Sequence, residues 1–155
     1  MTNQTNHINH TNHINHINKT AVITGASRGI GAAIAKKLAS CGYNLSLCCR
    51  NSSDRLKALA DELHCAYGIE VLCYTGNVGD FFFAKDMVTK TISHFGHIDV
   101  LINNAGISHI GLLSDMTPDE WNNIVAINLT GVFNFTKLVT PYMAVSYTHL
   151  RAHET

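Results

Sequence analysis

From Lys19 onward, short apolar runs alternate with helix-period segments, the pattern of βαβ units building a parallel sheet. Thr20-Ala21-Val22-Ile23-Thr24 reads as a first strand, and a glycine turn leads from it into a helix over 30–41. Ile30, Ile34 and Leu38 form one apolar face of that helix, and Lys36 and Lys37 form the wet one. Cys41-Gly42 closes it, glycine being suited to the left-handed position after a helix. A second strand is expected over 44–49, and a second helix over 53–67 with Leu56, Leu59, Ala60 and Leu63 on one face. A third strand follows over 70–74, a third helix over 80–95, and a fourth strand over 99–103 entered from Gly96. Within Phe81-Phe82-Phe83, packing of two of the three rings against core and rim is the expected arrangement.

Thr117-Pro118-Asp119-Glu120 announces a fourth helix on three counts: a threonine cap, proline at the first helical position, and glutamate three residues after the cap. That helix carries Trp121, Ile124, Val125, Ile127, Leu129, Val132, Phe133 and Phe135 toward Pro141, with Gly131 as its weak point.

The two ends do not share the pattern. Residues 1–18 are a triplet repeat with Asn at 6, 9, 12, 15 and 18 and His at 7, 10, 13 and 16. A repeat so poor in large apolar side chains cannot offset the entropy of ordering it, so a disordered tail is expected and any metal held by its histidines is incidental. At the other end, Val145 to Thr155 breaks off the amphipathic pattern without cap, glycine or proline. Its back-translation resembles a sequencing-library adapter read in frame. The expected organisation is therefore a tail over 1–18, a truncated domain over 19–144, and a non-native tail over 145–155.

Composition narrows the function. The 155 residues are 46% hydrophobic and 14% charged, with 11 basic and 11 acidic side chains. That balance gives no pull toward nucleic acid or anionic membrane. No run approaches the roughly 18 uninterrupted apolar residues of a membrane span, and the N-terminus lacks the basic-then-apolar layout of a signal peptide, which points to the cytoplasm. Five cysteines without a Cys-x-x-C pair suit neither a disulfide framework nor a zinc site, so they are expected to be reduced and mostly buried, and no metal centre is expected.

The chemistry lies in Thr24-Gly25-Ala26-Ser27-Arg28-Gly29-Ile30-Gly31, between the first strand and the first helix. In a strand–turn–helix setting, Gly25 permits the sharp turn, Gly29 leaves room for a diphosphate, and Gly31 lets helix and sheet pack closely. The helix N-terminus adds free N–H groups and a positive dipole. After the fourth strand comes a second motif, Asn103-Asn104-Ala105-Gly106.

With these two motifs at their spacing, the chain resembles the short-chain dehydrogenase/reductase family over Lys19 to about Met143. The resemblance implies the N-terminal half of a Rossmann-like, doubly wound parallel α/β sheet, with about four strands and four helices. It assigns the catalytic asparagine to Asn128, the adenine contact to Asn77-Val78, and the ribose contact to Asn104, with Ala105 and Gly106 beside it. Arg50 stands at the end of the second strand, where an acidic residue would bind the ribose 2′-hydroxyl; with Arg28 it favours NADPH over NADH.

Within the family the glycine loop, Asn77-Val78 and the Gly111-to-Trp121 stretch look most like bacterial 3-oxoacyl-acyl-carrier-protein reductases of fatty-acid biosynthesis. A small-molecule or carrier-linked carbonyl substrate and a homo-oligomeric parent are implied. A reductase of a ketone-bearing modified lysine on an elongation factor shares the Ile107-Ser108-x-x-Gly111-Leu112-Leu113-x-Asp115-Met116 segment and stays open, as does a non-catalytic nucleotide-binding fragment. In the family a serine and a Tyr-x-x-x-Lys, the proton-donating part of its site, follow the asparagine; both are expected to be missing here, since the tyrosine would fall beyond Thr155. Tyr147 with Arg151 four residues on comes too early and carries Arg for Lys. The expectation is a cofactor half-site without a proton donor, and a sheet whose fourth strand is left as an unpaired, aggregation-prone edge.

Overall fold

The computed structural model describes residues 19–151, with side chains through Met143. The repeat over 1–18 and the last four residues of the 145–155 segment lie outside the described residues.

Four parallel strands, β1 (Thr20–Thr24), β2 (Asn44–Cys49), β3 (Val71–Thr75) and β4 (Val100–Ile102), stand in the order β3-β2-β1-β4. The chain therefore winds outward from β1 in one direction and then crosses back to its other side, as expected for one half of a doubly wound sheet. Thr20 lies opposite Asn44, and Ala21 lies opposite Val100.

Helices α1 (Gly29–Ser40) and α2 (Ser53–Tyr67) belong to one layer, and α3 (Phe81–Phe95) to the other. A core of Ala21, Ile23, Ala35, Leu45, Leu47, Leu56 and Leu63 fills the first side, and one of Val22, Met87, Val88, Ile98, Phe135 and Val139 fills the second. Covered on both faces, β1 and β2 are buried at every position, which is why they read as continuous rather than alternating strands. Ser46, the polar residue inside β2, is matched by the Thr91 hydroxyl at 2.7 Å. β4, paired with β1 on one side, forms a three-residue edge of the sheet among the described residues.

The long C-terminal helix has three parts: α4 (Pro118–Val125), a π-helical turn over Ala126–Thr130, and α5 (Gly131–Arg151). The expected capping box is present, with Thr117 Oγ1 accepting from the Glu120 N–H and the Glu120 carboxylate accepting from the Thr117 N–H. Pro141 sits inside α5, and the helical backbone continues beyond it from residue 145 to Arg151. Over 118–143 the helix is long and apolar enough by length and composition to cross a bilayer, although no stretch is free of polar residues. Here it packs on the second core through Ile127, Phe135 and Val139.

Several expectations from periodicity are corrected. Ile30 is 73% exposed, because α1 meets the sheet through Gly31, Ala35 and Ala39, small residues that allow close approach. Of the three phenylalanines only Phe83 packs on the core, while Phe82 is 79% exposed. Trp121, Leu129 and Phe133 face outward although they match the apolar pattern. Cys48 and Cys49 are buried, but Cys41 and Cys65 are exposed.

Candidate functional site: a crevice at the carboxyl ends of the strands

The glycine turn after β1 has the backbone its sequence demands. Gly25 and Gly29 have φ of 66° and 57°, the left-handed region that other residues enter only with strain. A Cβ on Gly31 would lie 2.5 Å from both the Gly25 carbonyl oxygen and the Asn104 amide nitrogen. A Cβ on Gly29 would meet nothing within 4 Å, so this glycine borders open space. The first turn of α1 carries no acidic residue, and Arg28 at its cap position makes no side-chain capping bond. Its initial N–H groups thus lack the side-chain acceptors that Asp80 and Thr117 provide to α3 and α4.

The second motif is bonded directly to the first. Thr24 Oγ1 accepts from the backbone N–H groups of Asn104 and Ala105, both at 3.0 Å. The Asn104 side-chain amide donates to the carbonyls of Thr24 and Gly25, again at 3.0 Å. Both of its donor contacts therefore brace the glycine turn. Farther along, Asn128 Nδ2 donates to the Ile107 carbonyl at 2.8 Å, and its Oδ1 accepts from the Ile107 N–H at 2.9 Å. Asn128 lies within the π-helical turn and pins the loop that leaves β4.

These segments enclose a crevice of 590 Å³ at the carboxyl ends of the strands, a volume suited to a ligand of cofactor size. Of the expected contact residues, Gly25, Ser27, Arg28, Gly29, Ile30, Arg50, Asn77, Val78, Asn104, Ala105 and Gly106 line it. Thr24, Ala26 and Gly31 stand behind the wall: Ala26 is fully buried with its N–H on the Cys48 carbonyl at 2.9 Å. Asn128 reaches the crevice only through Ile107. Cys49, Asn51, Ser52, Gly76, Ile107 and Ile127 also line it, outside the expected contact set. Asn51 and Ser52 directly follow β2, and the rule that ligands bind beyond the carboxyl ends of parallel strands could have found them.

Among the residues lining the crevice there are two arginines and no carboxylate. Two thiols of the sheet, Cys48 and Cys73, are not candidates for nucleophilic chemistry. Burial pushes the Cys48 thiol up to about 12, outweighing a hydrogen bond with the Gly25 backbone that acts the other way. Burial likewise raises Cys73 to about 11.

The family model for short chain dehydrogenases matches residues 19–149, a span that runs past Ala144. A curated 3-oxoacyl-[acyl-carrier-protein] reductase of Staphylococcus epidermidis is 43% identical over 125 residues, which are 81% of this chain and 51% of that protein. D-beta-hydroxybutyrate dehydrogenase of Cupriavidus necator is 38% identical over 125 residues, 81% of this chain and 48% of that one. The chain thus spans about half the length of the curated relatives it matches. Among solved structures, an alcohol dehydrogenase of Thermococcus sibiricus complexed with 5-hydroxy-NADP superposes with a TM-score of 0.77 at 38% identity, covering 81% of this chain and 53% of that one. A short chain dehydrogenase of Burkholderia cenocepacia in complex with NADP gives 0.78 at 31% identity, covering 81% and 51%. Fold, motif geometry and these likenesses agree, and the chain belongs to the short-chain dehydrogenase family.

Proposed function

We propose that the chain is the dinucleotide-binding part of an NADPH-dependent oxidoreductase that reduces a carbonyl to an alcohol, of the 3-oxoacyl-acyl-carrier-protein reductase type. The observation that carries the choice of cofactor is the pair Arg28 and Arg50 on a crevice without a carboxylate. A 2′-phosphate next to β2 would find two guanidinium groups, whereas a free 2′-hydroxyl would find no acidic acceptor. The crevice fits the group on independent grounds as well. Open space beside Gly29 and the uncapped start of α1 suit a diphosphate, and Val78 offers an apolar surface for the adenine ring.

When bound, the nicotinamide would supply the hydride. The chain's own residues bind and orient. Gly25, Ser27, Gly29 and Ile30 would hold the diphosphate, Arg28 and Arg50 the 2′-phosphate, and Asn77 and Val78 the adenine. Ala105, Gly106 and Ile107, fixed by Asn104 and Asn128, would form the floor toward the ribose and nicotinamide. A small-molecule or carrier-linked carbonyl compound is the substrate class, and the cytoplasm the setting.

The tyrosines after Asn128 are Tyr142 and Tyr147, with Ser146 and Arg151 four residues on, so the sequence contains no Tyr-x-x-x-Lys there. We therefore expect the 155-residue chain to bind NADPH and not to turn over a ketoacyl thioester. Titration by cofactor fluorescence is expected to give NADPH about tenfold tighter than NADH, the size of one charge-assisted contact. Arg50→Asp is expected to reverse the order; equal affinities for both cofactors in the unsubstituted chain would refute the assignment.

A further inference from the structure

Loop 76–79, which joins β3 to α3, carries Asn77 and Val78 on the crevice wall. Little of its own bonding fixes its position against the sheet. Asn77 Oδ1 accepts from the Gly79 N–H at 3.0 Å, a bond within the loop, and the Gly76 N–H reaches the Cys49 carbonyl at 3.0 Å. The other anchor comes from a distant part of the chain. Asn134, on α5 and only 3% exposed, donates its side-chain amide to the carbonyls of both Val78 and Gly79, each at 3.2 Å.

The surrounding contacts are too close to be incidental. A Cβ on Gly79 would stand 2.8 Å from the Ala126 carbonyl oxygen, and one on Gly131 would stand 2.8 Å from the Val78 side chain. The loop is thus pressed onto the long helix at two glycines, one on each partner, and Asn134 supplies the polar link at the centre of the contact. An apolar residue of the same size at 134 would leave two loop carbonyls without their donor in a closed environment.

We propose that Asn134 is a positioning residue for the adenine end of the dinucleotide: by holding the Val78 and Gly79 carbonyls it sets where Val78 stands on the crevice wall. This rests on the dinucleotide reading above. With Asn128 pinning Ile107 from the π-helical turn, a single helix then fixes both ends of the crevice. Asn134 reaches the ligand only through the loop and is not a catalytic residue.

The test is made on the full 155-residue chain with Asn134→Leu and Asn134→Asp, and with Gly79→Ala, which perturbs the same contact from the loop side. Val139→Ala, in the same core but five residues beyond Asn134 along α5, serves as the control for general destabilisation. Dissociation constants for NADPH and for adenosine 2′,5′-bisphosphate are measured at a temperature where circular dichroism shows each variant folded. The expected result is a roughly tenfold loss for both ligands in the Asn134 and Gly79 variants, the size of two neutral hydrogen bonds, and no loss in Val139→Ala. Unchanged affinities in the loop-contact variants overturn the proposal, as does an equal loss in Val139→Ala. If the Asn134 variants do not fold, Gly79→Ala alone decides by the same criterion. Failure of the unsubstituted chain to bind NADPH is a separate outcome: it removes the dinucleotide reading and this proposal with it.

Discussion

The side-chain amide of Asn104 lies 3.0 Å from the carbonyl oxygen of Gly25, a bond across 79 residues of sequence that ties the second motif to the turn of the first. It explains why two short motifs so far apart build one surface. Removing the side chain with Asn104→Ala leaves the Thr24 and Gly25 carbonyls without that donor. The expected cost is about 1–3 kcal/mol in urea denaturation, together with weaker NADPH binding.

Gly31 and Gly42 separate two reasons for glycine. At Gly31 a methyl group would collide with the Gly25 carbonyl and the Asn104 amide, so Gly31→Ala is expected to lose about 1–3 kcal/mol by overpacking. At Gly42, φ is 81° and nothing lies within 4 Å of an added Cβ, so Gly42→Ala is expected to cost only the left-handed backbone strain, about 1–2 kcal/mol. Only the first substitution is expected to impair NADPH binding, which the same fluorescence titration checks.

The five thiols are expected to fall into distinct classes. Cys41 and Cys65 are exposed and should react with a disulfide reagent at pH 8 before unfolding, whereas Cys48, buried and raised to about 12, should react only after it. The same shift gives an alkaline signature. Because the folded pKa lies above the ordinary value of 9.0, burial of neutral Cys48 contributes fully below that pH and is lost as pH rises from 9.0 toward about 12. Cys48→Ala is expected to flatten that alkaline loss in denaturant titrations at stepped pH.

At the start of α4 the sign is opposite. Hydrogen bonds from the Thr117 backbone and hydroxyl hold the Glu120 carboxyl below its ordinary value of 4.5. Its contribution is therefore present above that pH and lost as pH falls through the lower folded value. Trp121, the sole tryptophan and 53% exposed, is the adjacent reporter. Its fluorescence is expected to shift in acid with a midpoint below 4.5, and Glu120→Ala should remove that transition.

Much of the crevice was legible because its signals are local. A left-handed glycine or a capping box is specified by a few adjacent residues, and Gly25, Gly29, Thr117 and Glu120 sit as their motifs require. What escaped depends on partners distant in sequence. Ile30 lines the crevice as its motif implies, yet the apolar period of α1 also placed it on the buried face, and it is exposed because the helix leans on its small residues instead. Periodicity likewise could not tell which apolar side of the long helix meets the sheet: Phe135 is buried while Phe133 and Leu129 face outward. Asn134 carries no motif at all, and its role appears only when the β3–α3 loop is beside it.

The π-helical turn over Ala126–Thr130 makes the long helix a phased part rather than a simple rod. A regular helix advances about 100° per residue, so adding or deleting one residue in that turn would rotate everything beyond it by about that angle relative to α4. Asn128 and Asn134 would then no longer reach Ile107 and Val78 together. The turn works like the keyway on a shaft, and length variation there should be tolerated far less than in the exposed 108–115 loop.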